Sequence, residues 1–436
     1  MKKKELGKTF PNLNRTIAYY SPISQFIVLN EVEEGEFPDL FKDNRNMAEV
    51  KKASVYIHET RHNLDHISTL WGQKNLLKLS NALDARISNK ETEFHKILPL
   101  KREENQFHYD EYYTEHYNES VFNGPQDVWT WQLSSGIKFD ILGVPSEKEP
   151  IPFIKFSKNS GEPLVRVPLS IAALLETNST FDEYKHIIDF INALPEMDKA
   201  VENRLLQSSI LKDLVYNQYM AVYNSIVHLT ANILKLSDVI EALKISSSIA
   251  TLVLNLLPEL MVRIPIPDVA KEHWKDRNSA MLNNSEYGYI FYLLVSNYAP
   301  KYKEQQSFNL DSILEANCLP SSGELLDLVL MNFESIKSEF QEAKCLKTYF
   351  EGITDEGIEI LKLRGLDGTG ISTEKIITDK LFNPDLIFAD TDFDLVEFKL
   401  ADIMKSTPEN LNMEERYSFM ELMDSKLNEF FSIRGL

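Results

Sequence analysis

The spacing of apolar positions predicts a chain that is mainly α-helical. Between residue 46 and Gly72 apolar residues recur at seven-residue intervals, at Val50, Ile57, Leu64 and Trp71. No proline or glycine interrupts this segment before Gly72, so we expect one long amphipathic helix there. From about residue 180 to the C-terminus, apolar spacings of three and four residues predict further helices, with loops near residues 265–285, 300–310 and 366–373.

Shorter stretches of β-type residues predict a small sheet component in the N-terminal part of the chain. Residues 24–29 (SQFIVL), 129–143 and 151–170 alternate or cluster apolar side chains over strand-like lengths. The turn residues Asn159-Ser160-Gly161 separate two such runs, so a β-hairpin is expected there. The predicted fold class is therefore mainly α with a small β component.

Composition and charge narrow the partners that the protein can have. The chain of 436 residues carries a formal net charge of −20, which repels nucleic-acid phosphates, so we expect no nucleic-acid partner. Two cysteines are too few for a disulfide framework and are consistent with a reducing cytoplasm. In the most apolar stretch, residues 245–262, an asparagine, a proline and a glutamate interrupt the run before it reaches the roughly 18 to 20 apolar residues of a membrane span. We therefore expect a buried helix there, and a cytoplasmic protein without a membrane segment.

One part of the long predicted helix carries the pattern of a metal site. His58, Glu59 and His62 form an H-E-x-x-H motif. Two residues four apart on a helix lie about 40° apart around the axis and about 6 Å apart along it, so both imidazoles can bind one ion. The glutamate between them is rotated away from the ion, where it can reach a water molecule that the ion binds. Zinc lowers the pKa of such a water molecule towards neutrality, and Glu59 would be the general base that removes its proton.

The motif alone leaves a second interpretation open. A motif of five residues with three fixed identities also occurs by chance. A helix whose histidines face solvent or cap neighbouring carbonyl groups would have the same sequence pattern. Arg61 favours this alternative, because zinc-protease helices usually have uncharged residues at the two middle positions of the motif. A third metal ligand would decide between the two interpretations.

The third histidine of the segment cannot supply that ligand. His66 lies eight residues beyond His58, about 12 Å further along the same helix, whereas zinc–nitrogen bonds are about 2 Å long. We expect Asp65 and His66 to be either groups beside the metal or the substrate, or ordinary helix surface.

A glutamate on a second predicted helix is the better candidate for the third ligand. Glu176 interrupts an apolar run that begins near Ser170, and a carboxylate in such a run is costly to bury unless it is paired or bound to a cation. The alternative is that Glu176 lies on the exposed side of its helix. Glu91 and Glu93 are closer to the motif in sequence, but their polar surroundings require no partner.

Two segments of the chain resemble a broad, poorly characterised set of bacterial and phage-related H-E-x-x-H proteins. The shared pattern is H-E-x-x-H, then Ser/Thr-Thr-x-x-Gly, and later an apolar helix with Leu-x-Glu. It is matched here by residues 58–72 (HETRHNLDHISTLWG) and 169–179 (LSIAALLETNS). The arrangement of metal ligands and general base in this set is similar to that of gluzincin metallopeptidases. The resemblance implies a Zn²⁺ ion held by His58, His62 and Glu176, with Glu59 as the base.

Motif and resemblance together predict a zinc-dependent peptidase. We expect a zincin-like catalytic region over residues 1–185 and a mainly helical region for substrate binding or regulation over residues 186–436. The expected partners are a peptide or protein substrate and, for a regulated enzyme, a protein that controls it. Analogy at the level of the family suggests a conditional effector in bacterial defence. The alternative is a non-catalytic helical interaction protein with a structural or degenerate metal site.

A peptidase also needs a hydrogen-bond donor for the oxyanion, usually from Tyr, His or Arg. Tyr287 and Tyr289 lie in the aromatic segment SEYGYIFY, and His108 and His116 lie in the segment FHYDEYYTEHY. Such aromatic clusters are also common in cores and interfaces, so the sequence leaves the choice of donor open.

Overall fold

The structure is a computed structural model that describes residues 17–42, 45–107, 109–139, 144–392, 396–405 and 407–434. Within these ranges, none of the helices combines the length and the apolar character that crossing a membrane requires.

Helices dominate the described residues, and two small sheets accompany them. The predicted fold class, mainly α with a small β component, is thereby confirmed. The α-helices, in chain order, are α1 (Met47–Ser68), α2 (Leu70–Ser88), α3 (Leu98–Phe107), α4 (Tyr109–Tyr113), α5 (Ile171–Ala193), α6 (Glu196–Ser209), α7 (Ala221–Leu234), α8 (Val239–Leu254), α9 (Pro258–Met261), α10 (Asp268–Trp274), α11 (Arg277–Asn283), α12 (Tyr287–Gln305), α13 (Leu310–Ala316), α14 (Ser322–Phe340), α15 (Lys347–Arg364), α16 (Thr373–Thr378), α17 (Leu400–Ile403) and α18 (Met413–Arg434). The β-strands are β1 (Ala18–Tyr20), β2 (Phe26–Leu29), β3 (Glu115–His116), β4 (Thr130–Phe139), β5 (Pro145–Ser157), β6 (Pro163–Pro168) and β7 (Asp385–Ile387).

The chain divides into two compact units. The first comprises Met1–His108, Asp327–Gly365 and Gly370–Leu436, and the second comprises Tyr109–Leu326 and Leu366–Thr369. The sequence predicted a catalytic region over residues 1–185 and a helical region for substrate binding or regulation over residues 186–436. That division is one of function, and it stays a prediction.

The first unit contains a small sheet against which the long helix α1 packs. Strand β2 pairs antiparallel with β1 and parallel with β7, and β2 confirms the strand expected within residues 24–29. Buried apolar residues of β1 and β2 pack against Ala53 and Tyr56 of α1. This packing determines which face of α1 lies against the edge strand β1.

The predicted long helix is two helices, because Thr69 interrupts it. Thr69 is extended, with ψ 154°, and its side chain accepts a hydrogen bond from the Gly72 amide, which caps α2. The same hydroxyl donates to the Asp65 carbonyl at the end of α1. A Cβ at Gly72 would lie 2.1 Å from the His66 carbonyl oxygen, so only glycine allows this close turn. At its other end α1 begins with a capping box between Asn46 and Glu49.

The second unit combines an antiparallel sheet with a group of packed helices. The strand order is β3-β6-β5-β4, and the expected hairpin at Asn159–Gly161 joins β5 and β6. Helix α5 begins at the N-cap Ser170, whose side chain accepts from the Ala173 amide, and packs against α7 and α8. The buried helix predicted for residues 245–262 is confirmed in part, because α8 ends at Leu254 and the short helix α9 follows it. The loop predicted near residues 265–285 is wrong in part, because α10 and α11 lie there.

Candidate metal centre

The middle of α1 is buried on every side. All residues from Tyr56 to Ser68 are buried, including the whole H-E-x-x-H motif. His58 is 2% exposed, and Glu59 and His62 are 0% exposed. The interpretation in which these histidines face solvent therefore does not describe this helix. Buried polar side chains need specific partners, so the motif has to be understood from what surrounds it.

Glu176 is buried in the first half of α5. It follows Leu174 and Leu175 on this helix, and all three residues are 0% exposed. The alternative in which Glu176 lies on the exposed side of α5 is wrong. The apolar run around this carboxylate, which singled it out in the sequence, makes its burial costly unless a cation or a hydrogen-bond donor compensates it.

The structure brings His58, His62 and Glu176 together. Each contributes one ligand atom, an imidazole nitrogen or a carboxylate oxygen, and these three atoms lie within 4.8 Å of one another. All three residues are buried. They form a group that could hold a metal ion.

The chemistry of this donor set fits zinc. Two imidazoles and one carboxylate are the protein ligands of many catalytic zinc sites, which keep the fourth position for water or substrate. Zinc binds these atoms at about 2.0 to 2.2 Å, so ligand atoms around one ion lie roughly 3 to 4 Å apart. An approach of about 1 Å by the side chains would bring the group from its present spacing to that range.

A second buried carboxyl group interacts electrostatically with Glu176. Asp110 in α4 is buried, and its Oδ2 accepts a hydrogen bond of 2.9 Å from the Ser170 hydroxyl. Burial, together with the negative charge of Glu176, raises the pKa of Asp110 to about 8. Two carboxyl groups that disfavour each other's ionised form in a buried place are stabilised by a bound cation.

Glu59 is hydrogen-bonded to the edge strand β1. Its Oε2 accepts a hydrogen bond of 2.9 Å from the main-chain N–H of Tyr20, and this contact is buried. One carboxylate oxygen of the candidate base is therefore held by the main chain.

The charged residue inside the motif is neutralised within its own helix. Arg61 Nε donates to Asp65 Oδ1 at 2.9 Å, and both side chains are 2% exposed. The sequence suggested that this arginine lies on a solvent-exposed helix, but it forms a buried ion pair with a residue one helical turn later. Asp65 is neither helix surface nor a member of the metal-capable group.

His66 belongs to the aromatic core of the first unit. Its Nδ1 lies 2.9 Å from the His62 carbonyl oxygen. The imidazole packs against the rings of Tyr20, Trp71 and Phe107. Burial lowers the pKa of His66 to about 3, so the ring is neutral in the physiological range. The expectation that His66 lies on the helix surface is wrong.

The other sequence candidates lie in separate surroundings. Tyr289 donates its hydroxyl to Asn278 Oδ1 at 2.7 Å, and burial raises its pKa. Tyr287 is half-buried at the start of α12. Exposed His116 stacks on Tyr219, and His108 lies outside the described residues. The role of oxyanion donor stays a prediction for each of the four candidates.

Glu91 and Glu93, the alternative third ligands, lie in the short helix Glu91–Lys96. Glu91 is exposed, and Glu93 forms an ion pair of 2.6 Å with Lys96. Neither belongs to the metal-capable group.

Two neighbours of the site, Tyr20 and Asp110, were not predicted from the sequence. Tyr20 acts through its main-chain N–H, which no side-chain pattern reveals. Asp110 lies beside Glu111 in a polar and aromatic segment, where the sequence does not indicate that the carboxyl group is buried.

No protein-family model, curated protein or solved structure matches the chain. The resemblance to H-E-x-x-H proteins therefore stays a prediction, and only the donor set and its surroundings support a function.

Proposed function

We propose that the protein is a zinc-dependent peptidase with His58, His62 and Glu176 as metal ligands and Glu59 as general base. The observation that carries this proposal is the grouping of three buried ligand atoms within 4.8 Å. Two of them come from a motif whose middle glutamate is placed, by helix geometry, beside the ligand face and not on it.

The chain's own groups have separate tasks in this proposal. A zinc ion bound at the three ligands would polarise the scissile carbonyl group and acidify a water molecule. Glu59 accepts the proton of the attacking water and later delivers it to the leaving amine. Asp110 lies in the buried surroundings of Glu176, and a cation bound nearby would favour its ionised form. Asp65 neutralises the charge of Arg61 in the helix segment in which the motif lies.

Burial of the site has a consequence for how such an enzyme works. A peptide cannot reach side chains that are 0 to 2% exposed, so the proposed reaction requires an opening motion. An enzyme that is closed at rest fits regulation by a trigger, in line with the expectation of a conditional effector. That expectation, like the cytoplasmic location, stays a prediction.

The same burial favours one alternative, a structural metal site in a non-catalytic helical protein. Structural zinc sites are closed and contribute to folding stability, whereas catalytic ones keep an open position. The two functions differ in what Glu59 does. In a structural site Glu59 accepts the hydrogen bond from the main chain, and no hydrolysis depends on it.

The Glu59→Gln variant separates the two functions. We expect zinc content equal to that of the wild type, and loss of hydrolysis by about 100-fold or more, because glutamine cannot accept the proton. Hydrolysis is measured on labelled casein and on a library of quenched fluorescent peptides, with the zinc-loaded protein. Glu91→Gln, an exposed glutamate outside the site, is the matched control and should retain full activity.

Toxicity on expression in bacteria is a second readout of the proposed activity, and it requires no known substrate. If the enzyme is a toxic effector, toxicity should disappear with Glu59→Gln and persist with Glu91→Gln. Zinc-loaded wild type that cleaves none of the probes and is not toxic would favour the structural site.

A further inference from the structure

A main-chain group from β1 holds the candidate general base. The Tyr20 N–H donates to Glu59 Oε2 at 2.9 Å. Tyr20 is 2% exposed and Glu59 is 0% exposed, so water does not compete for this hydrogen bond. Hydrogen bonds from an N–H group to a carboxylate are shorter and stronger than those between neutral groups.

The register of the hairpin explains why this N–H is available. The Asn30 amide donates to the Ile17 carbonyl and the Ser21 amide donates to the Phe26 carbonyl, so these two pairs occupy hydrogen-bonded positions of the ladder. Tyr20 pairs with Ile27 at the intervening, non-hydrogen-bonded position. Because β1 is the edge of its sheet, the Tyr20 N–H points away from β2 and towards α1.

Tyr20 is itself fixed on several sides. Its hydroxyl donates to Gln25 Oε1 at 2.7 Å. Its ring lies 5.0 Å from the His66 ring, centroid to centroid. The ladder bond from the Ser21 amide to the Phe26 carbonyl anchors the next residue at 2.9 Å. The donor that holds Glu59 therefore lies at the buried end of β1, where hydrogen bonds and ring packing fix it.

We propose that the Tyr20 main-chain N–H is a positioning group for Glu59. It holds one carboxylate oxygen, so that the other is fixed in the orientation in which it accepts a proton. The inference rests on the proposed function of Glu59 as a base. General bases lose rate steeply when their orientation is loosened, because the productive geometry must be held within about 0.5 Å.

A pair of substitutions at position 20 isolates this N–H. Tyr20→Ala and Tyr20→Pro both remove the ring and hydroxyl, but only proline removes the N–H. No ladder bond is lost, because the Tyr20 amide does not donate to β2. We expect kcat for Tyr20→Pro to be about 10- to 100-fold below that for Tyr20→Ala, with KM and zinc content unchanged. Zinc-loaded proteins and the peptide library are used as above.

The outcomes of this experiment are distinguishable. If the wild type is active and both variants have equal kcat, the inference is overturned while the proposed function stands. If the zinc-loaded wild type hydrolyses nothing, the proposed function fails, and the inference fails with it.

Amide hydrogen exchange tests the contact itself, without activity and without proline. In Glu59→Ala the Tyr20 amide should exchange at least about 10-fold faster than in the wild type, because its acceptor is gone. The Ser21 amide, which donates to the Phe26 carbonyl, is the internal control and should keep its rate. Equal acceleration of both amides, or of neither, would contradict a specific bond between Tyr20 and Glu59.

Discussion

At the scale of single residues, Glu104 in α3 is a carboxyl group whose ionisation opposes folding. It is 5% exposed, and burial raises its pKa to about 7. Asp424 acts in the same direction, whereas Lys101, with its Nζ 3.4 Å from Glu104 Oε2, partly opposes the shift. Because the pKa is higher in the folded state than the usual value of 4.5, the folded state binds the proton more tightly. The stability from this group is fully present below pH 4.5 and is lost as the pH rises through 7.

Replacing Glu104 by glutamine should therefore stabilise the protein at high pH. We expect the free energy of unfolding of Glu104→Gln to exceed that of the wild type by about 2 to 3 kcal/mol at pH 8, since one pKa unit corresponds to about 1.4 kcal/mol. Below about pH 4.5 the gain should vanish. Urea denaturation at both pH values measures the difference. Exposed Glu91→Gln should have no such pH-dependent effect, and a gain that is equal at both pH values would contradict burial of the charge as its cause.

Single residues of the site differ in how far the sequence could predict them. Glu176 was predictable, because a carboxylate inside an apolar run demands a partner. Arg61 was misleading, since the sequence cannot tell that Asp65 one turn later accepts its charge inside the fold. The hydrogen bond from the Tyr20 N–H to Glu59 was not predictable from the sequence. Its donor is a main-chain group whose direction depends on the hairpin register.

At the scale of elements, α15 packs on the junction of α1 and α2 through a glycine. A Cβ at Gly357 would lie 1.9 Å from the Ile67 carbonyl oxygen and 2.9 Å from Gln73 Nε2. Gln73 itself donates to that carbonyl at 2.6 Å and accepts from Thr354 of α15 at 2.8 Å. This packing holds the C-terminal end of α1, a short distance along the helix from the motif.

Two glycines of α15 provide a matched pair of substitutions. Gly357→Ala should lower the free energy of unfolding by about 1 to 3 kcal/mol, because the carbonyl it meets belongs to the main chain and cannot turn away. Gly352→Ala on the same helix meets nothing within 4 Å and should raise it by about 0.5 to 1 kcal/mol through helix propensity. Thermal or urea unfolding measures both variants. Similar changes in the two would contradict the close approach of α15 to α1.

Helices and strands were predictable where a local periodic pattern specifies them. They were not predictable where side-chain capping determines where a helix ends. The helix around the motif, strand β2, the hairpin of β5 and β6 and the start of α5 at Ser170 follow from local patterns. The break between α1 and α2 does not, because it occurs at Thr69, whose side chain caps α2, three residues before the glycine that allows the close turn. The short helices α10 and α11 lie in a segment that the pattern left as a loop.

At the scale of the whole molecule, the spacing of apolar residues predicted the mainly α fold class, but no local pattern contains the distance from Glu176 to the histidine pair. That His58, His62 and Glu176 come within 4.8 Å is a property of the tertiary structure alone. The net charge of −20 adds a practical consequence, because an acidic surface binds divalent cations weakly and without specificity. A test of the site must therefore separate one buried ion from cations held at the surface.

The zinc content of the purified protein after exhaustive dialysis tests the central claim most directly. Elemental analysis should give about one zinc ion per chain for the wild type and for Glu91→Gln, which alters only an exposed carboxylate. His62→Ala and Glu176→Ala should each lose it while remaining folded by circular dichroism, because two remaining ligands hold zinc far more weakly than three. A wild type without zinc even after incubation with the ion, or a Glu176→Ala variant that keeps its zinc, would contradict the account.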